Sequence, residues 1–108
     1  IFETFVISEL RKGFLNVGEP PWFFFWRDSN GHEIDLLIET GRGLMPVEIK
    51  SGQTLNRDFF TGLERWTTLA GDLAHQPTLI YGGQGEQGRQ GVRVLGWDRL
   101  ALAVEANT

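Results

Sequence analysis

Cysteine is absent from this 108-residue sequence. That excludes disulfides, thiolate metal ligands and cysteine nucleophiles. It also suits a reducing compartment, and the cytoplasm is the expected location. An excess of positive charge is missing too. Ten Lys and Arg face fourteen Asp and Glu, for a net charge of −4. A general nucleic-acid coat protein is usually basic, so this balance argues against one. It leaves room for an enzyme whose bound cations neutralise an acidic site locally. Long apolar runs are missing as well. The longest, Trp22 to Trp26, is strand-sized and far too short for a bilayer. No basic segment precedes an apolar one in the manner of a signal peptide. No membrane partner is expected, and no internal repeat or interdomain linker is visible.

What is present is a globular composition. Hydrophobic residues make up 41% of the chain, with eight Phe and four Trp. The length fits one domain over residues 1–108, and such a chain buries roughly two-thirds of its unfolded surface. The first residue is Ile1, and Ile1 to Phe5 reads as the interior of a helix. The expectation is a piece of a longer protein with a neighbour upstream.

Ile1 to Phe14 carries Phe2, Val6 and Leu10 at every fourth position, the spacing of one helical face, with Gly13 as a stop. Asn16 to Pro21 reads as a loop. Trp22 to Arg27 is a strand, apolar on both faces and so expected to be central or covered. Asn30-Gly31 is a hairpin signal, and His32 to Glu39 is the second strand. A Gly41-Arg42-Gly43 turn leads to the third, Leu44 to Lys50. A helix follows from about Asn56 to Ala70, with Phe59, Leu63, Trp66 and Ala70 on one stripe and Gly71 to end it. Pro77 to Tyr81 is a short strand, Gly82 to Gly91 a glycine-rich loop, and Val92 to Gly96 a further strand. Asp98 is a candidate cap for a last short helix through Val104. The first three strands should form an antiparallel meander. The crossover helix allows the next strand to lie parallel to one of them. The expected fold is α/β, a mixed sheet flanked by helices in the order α-β-β-β-α-β.

Alternation along strands isolates a polar group. On the third strand Glu48 and Lys50 oppose Val47 and Ile49. On the second, Asp35 lies with Glu33, Leu37 and Glu39, opposite Ile34, Leu36 and Ile38. Asp35 and Glu48 can therefore be neighbours across the ladder. Two adjacent carboxylates repel unless a cation sits between them. Lys50 supplies part of that charge and a divalent metal would supply more. Mg²⁺ takes one or two carboxylates plus water and phosphate, which suits phosphodiester hydrolysis. Lys50 would position the attacking water or hold the phosphate. Glu3, a charged residue in an otherwise apolar stretch, is the candidate third carboxylate. Glu9 is its rival, and on a helix of 3.6 residues per turn the two point in different directions.

Asp35, twelve intervening residues and then Glu48-Ile49-Lys50 resemble the D…(D/E)XK signature of the PD-(D/E)XK nuclease superfamily. Phe2 to Val6 with Glu9-Leu10 is similar to the helix that brings that superfamily's extra acidic residue. Trp26-Arg27-Asp28, then Gly31 to Asp35, then Pro46 to Gly52 resemble more narrowly the C-terminal nuclease-like domain of prokaryotic AAA+-type P-loop ATPases. The resemblance implies a restriction-endonuclease-like fold and a Mg²⁺ or Mn²⁺ site at Asp35, Glu48 and Lys50, with Glu3 assisting. It also implies a DNA substrate, including branched or broken ends, and an ATPase region upstream. No P-loop is present, so this chain itself is not expected to hydrolyse ATP.

Each feature has a plainer reading. Glu48 and Lys50 can be an ordinary surface ion pair, worth under about 1 kcal/mol. Glu3 can be a solvent-facing residue favoured by the helix dipole. Glu33 reads as a solvated strand residue, Arg27 as the partner of a nearby carboxylate, His32 and His75 as surface histidines. Ser51 and Gln53 are weaker candidates for the site mouth. Gly82 to Gly88 lacks the following helix and the Lys-Ser or Lys-Thr of a phosphate loop. The Phe and Trp residues read as core. The non-enzymatic alternatives are a nucleic-acid-binding or regulatory module of an ATPase, and a protein-interaction domain.

Overall fold

The computed structural model describes residues 1–16 and 21–105. Helix α1 spans Phe2–Asn16, and strands β1 (Trp22–Arg27), β2 (Glu33–Thr40) and β3 (Gly43–Lys50) follow. A 3₁₀ turn at Arg57–Phe60 opens into α2 (Thr61–Ala70), and a second at Gly71–Leu73 closes it. Then come β4 (Thr78–Tyr81), β5 (Glu86–Arg89), β6 (Val92–Gly96) and, after a turn at Trp97–Arg99, α3 (Leu100–Glu105). The six strands form one mixed sheet in the order β1-β2-β3-β4-β6-β5. β1, β2 and β3 pair antiparallel, while β3, β4 and β6 run parallel. The fold is the α/β type expected, a mixed sheet with helices on both faces.

Alternation divides the core between those faces. Val6, Leu10 and Phe14 of α1 meet Leu36, Ile38, Met45, Val47 and Ile49, with Ala103 and Val104 of α3 beside them. On the other face Phe60, Leu63 and Trp66 meet Leu37, Leu79, Tyr81 and Val94. The crossover segment starts where Asn56 caps it, its side chain accepting from the Asp58 amide at 2.9 Å. Gly71, with φ of 59°, ends α2.

Five expectations are corrected. α1 runs on through Gly13, whose missing side chain lets α3 approach: a Cβ there would lie 2.7 Å from Val104 Cγ2. Close packing, not helix termination, is the use of this glycine. β1 is an edge strand, not central and only partly covered: Phe23 and Trp26 pack against the core, while Trp22, Phe24 and Phe25 are exposed. The glycine-rich segment contains β5, a hairpin partner of β6 whose four residues are all exposed. With no buried face, it carries no hydrophobic alternation to read. Asp98 does not cap α3, since its Oδ1 accepts from the Gly85 amide at 3.0 Å. Ile34 packs on the α2 face with Leu37, away from Leu36 and Ile38. In the expected loop after α1, residues 17–20 lie outside the described residues.

The end of β3 is fixed by β4. The Gly82 amide donates to the Gly52 carbonyl at 2.9 Å, and a Cβ on Gly82 would collide with the Ser51 carbonyl oxygen. Gly82→Ala should therefore push the chain beyond Lys50 away, at a cost of about 1–3 kcal/mol typical of overpacking. Gly88→Ala, with open space around it, should be nearly neutral. Urea unfolding of the two variants measures the difference.

Candidate metal centre

The irregular pairing of β1 with β2 explains the placement of Asp35. Phe24 pairs with Leu37 and Trp26 with Ile34, so Asp35 and Leu36 together oppose Phe25 alone. This is a bulge on β2, and bulges turn the strand and re-aim side chains. It also explains why Ile34 changes face. On the other side, β2 pairs with β3 as far as Leu36 and Val47. At the next position the carboxylates take over from backbone acceptors. Asp35 Oδ2 accepts from the Ile49 amide at 2.8 Å, and Glu48 Oε1 accepts from the Asp35 amide at 3.1 Å. The two acidic side chains thus clasp the junction where the strands separate. Oδ1 of Asp35 takes part in neither bond, and Oε2 of Glu48 faces the Lys50 ammonium.

Glu48 is only 6% exposed, and it is the one buried charged residue among the described residues. Burial, and then the charge of Asp35, push its pKa up to about 7, against the opposing bond from the Asp35 amide and the charge of Lys50. Lys50 Nζ lies 3.5 Å from Glu48 Oε2 and 6.0 Å from the centre of the Phe59 ring. The first turn of α2 covers the carboxylate, for a Cβ on Gly62 would sit 3.6 Å from Oε2. Asp35 is also raised, chiefly by burial, with its Ile49 bond and Lys50 opposing. One buried and one half-buried acid, both with raised affinity for protons, mark this junction as a candidate functional site.

Glu3 belongs to the same neighbourhood. Its pKa is raised by partial burial and then by the charges of Asp35 and Glu33. It lines a cleft of about 370 Å³ with Phe25, Trp26, Arg27, Glu33, Ile34 and Asp35. Glu9 points elsewhere, paired with Lys12 at 3.2 Å and lining a groove with α3. Arg27 is held by Glu33, Nη2 to Oε2 at 2.9 Å. His32 closes the β1–β2 turn through Asp28 Oδ2 at 2.9 Å. His75 sits at the opposite end of β3, its amide donating to the Leu44 carbonyl. Ser51 and Gln53 are exposed and do not line the cleft. Phe25 and Gly62 were not anticipated at the site. Only the bulge brings Phe25 beside Asp35, and no residue pattern announces it.

Among the described residues no three His, Cys, Asp or Glu side chains converge as a ready-made metal cage. The carboxylates that could hold a cation are the Asp35–Glu48 pair, with Glu3 at the rim of the cleft and Lys50 alongside. Such an open set of hard oxygens fits Mg²⁺ or Mn²⁺, which keep water and substrate oxygens in their remaining positions. No helix is long and apolar enough to cross a membrane.

No curated protein matches this chain. Over residues 1–100 it matches the family described as Domain of unknown function (DUF4143). That match covers the whole junction of Glu3, Asp35, Glu48 and Lys50, and the chain belongs to this family.

Proposed function

We propose that this chain is a metal-dependent phosphodiesterase domain acting on DNA, of the PD-(D/E)XK nuclease kind. The carrying observation is the Asp35–Glu48 clasp: two partly desolvated carboxylates at one strand junction, with Lys50 Nζ 3.5 Å from Glu48 Oε2. Asp35 and Glu48 would hold Mg²⁺ or Mn²⁺ and Glu3 would complete the shell through water. The ion, when bound, supplies a water of lowered pKa and positive charge for the phosphate oxygens. Asp35 and Glu48 are fixed by the backbone amides they accept from, so their other oxygens, that of Glu48 beside Lys50, are oriented before substrate arrives. The Lys50 ammonium orients the attacking water and offsets charge on the phosphate. On the narrower family likeness, this domain would follow an AAA+-type ATPase in a cytoplasmic protein, with DNA delivered by that neighbour.

The alternative is a catalytically idle nucleic-acid-binding or regulatory module. It draws on the same clasp, because both carboxylates already have backbone partners and stabilise the junction without an ion. Supercoiled and branched DNA incubated with the chain separates the two. The phosphodiesterase reading expects cutting in Mg²⁺ or Mn²⁺ and none in chelator. Retention of DNA in a metal-independent complex with no cutting in either ion favours the idle module.

A further inference from the structure

We propose that the cleft beside the carboxylates takes an unpaired strand of nucleic acid, with Phe25 stacking on a base next to the cleaved phosphate. The proposal rests on the phosphodiesterase reading and names its substrate class. Phe23 and Phe25 are two apart on β1 and share the face towards α1. Phe23 is covered: the Phe14 ring meets it edge-on at 6.1 Å, and the Arg11 guanidinium lies 4.9 Å from its centre. Phe25 has no such cover and is 74% exposed. It belongs to neither core cluster, so its ring contributes little to folding. Its place opposite the β2 bulge puts it one strand spacing, about 5 Å, from Asp35.

The cleft therefore joins an uncovered aromatic face to Asp35, the member of the carboxylate pair that lines it, with Glu3, Glu33 and Arg27 on its wall. A ligand that satisfies both must carry a flat π-surface and an anion within a short reach. A nucleotide does, through its base and its phosphate. Inside a duplex both faces of each base are covered by neighbours. Only an unpaired or extruded base offers a face to a protein ring. The cleft volume of about 370 Å³ is at the small end for ligand sites and admits a single nucleotide unit.

The test uses a labelled single strand and the corresponding blunt duplex, both phosphorothioate-substituted against cutting, with affinity read by fluorescence anisotropy in Mn²⁺. The wild type is expected to bind the single strand at least tenfold tighter. Phe25→Ala should lose about tenfold, the order of one base stack. Trp22→Ala is the control, removing an equally exposed ring, 72% accessible, that lines a different groove with Arg11 and Leu15. It should leave affinity unchanged. Equal affinity for the two DNA forms, no loss with Phe25→Ala, or an equal loss with Trp22→Ala overturns the proposal. Cutting of unmodified strands is scored in parallel. Phe25-dependent binding without Mg²⁺-dependent cutting removes the phosphodiesterase reading and leaves the single-strand site standing. Cutting that ignores Phe25 does the reverse.

Discussion

With Asp35 replaced by Asn, Mg²⁺-dependent cleavage is expected to fall by about 10²–10³-fold, the usual effect of removing one fixed electrostatic partner of a reacting centre, while the domain stays folded. Asn retains a carbonyl oxygen at the position that accepts from the Ile49 amide at 2.8 Å. It loses the negative charge that would hold a cation. Asp35→Ala is expected to lose cleavage to the same degree, but also to leave the Ile49 amide without its acceptor, at about 1–3 kcal/mol for an orphaned buried donor. Removing Asp35 relieves Glu48 of a neighbouring charge, which offsets part of that cost. The pair of variants thus separates the two jobs of one carboxylate. Cleavage rates and thermal unfolding, measured side by side, should show equal losses of activity and unequal losses of stability. An Asn variant that cuts at the wild-type rate would place the metal elsewhere.

The Asn and Ala variants matter because the sequence pattern shows the adjacency of Asp35 to Glu48 but not the two backbone bonds that join them. Strand alternation and the short turn at residues 41–42 point to Asp35 and Glu48 as neighbours, and hydrogen bonds just past the end of the β2–β3 pairing join them. Hydrophobic periodicity likewise points to the first helix and the crossover helix, because each buries one face and the burial leaves a period, whereas the crossover connection only allows a parallel strand and does not say that its partner is β3. The bulge at Asp35 leaves no such period. It adds one residue to a strand and moves Ile34 to the other face, and local composition does not reveal it. The edge position of β1 was hidden for the opposite reason. Its run of five aromatics reads as a strand covered on both sides, whereas sheet order gives it a single neighbour. Gly13 and Asp98 failed as punctuation because tertiary partners, Val104 and the Gly85 amide, claimed them. The edge position of β1 bears on function, since it leaves the Phe25 face of the cleft exposed.

Glu48→Gln should produce a reversal in the order of stability with metal. In the folded protein the Glu48 pKa is about 7, against an ordinary value of 4.5. Between those values the folded state keeps a proton that the unfolded state has released. Stability without metal must then decline as pH rises through that window, and the full loss is present above it. At 1.36 kcal/mol per unit the loss approaches about 3 kcal/mol. Gln preserves an oxygen to accept from the Asp35 amide and carries no charge to desolvate. In chelator at pH 8 the variant should therefore unfold several degrees above the wild type, since about 1 kcal/mol moves a domain of this size by roughly 4 °C. The gain is reduced where Lys50 loses its partner at 3.5 Å. At pH 5 the two curves should nearly meet. Mg²⁺ or Mn²⁺ then inverts the ranking at pH 8. An ion bound only by the folded state stabilises the wild type in proportion to the logarithm of its concentration, and the neutral amide of the variant cannot hold it. On the phosphodiesterase reading the same substitution should abolish cleavage, because the charge that destabilises the metal-free junction is the charge that would hold the cation. A wild type whose stability is flat from pH 5 to pH 8, or a Gln variant with the same metal response, would show that this carboxylate carries neither the strain nor the ion.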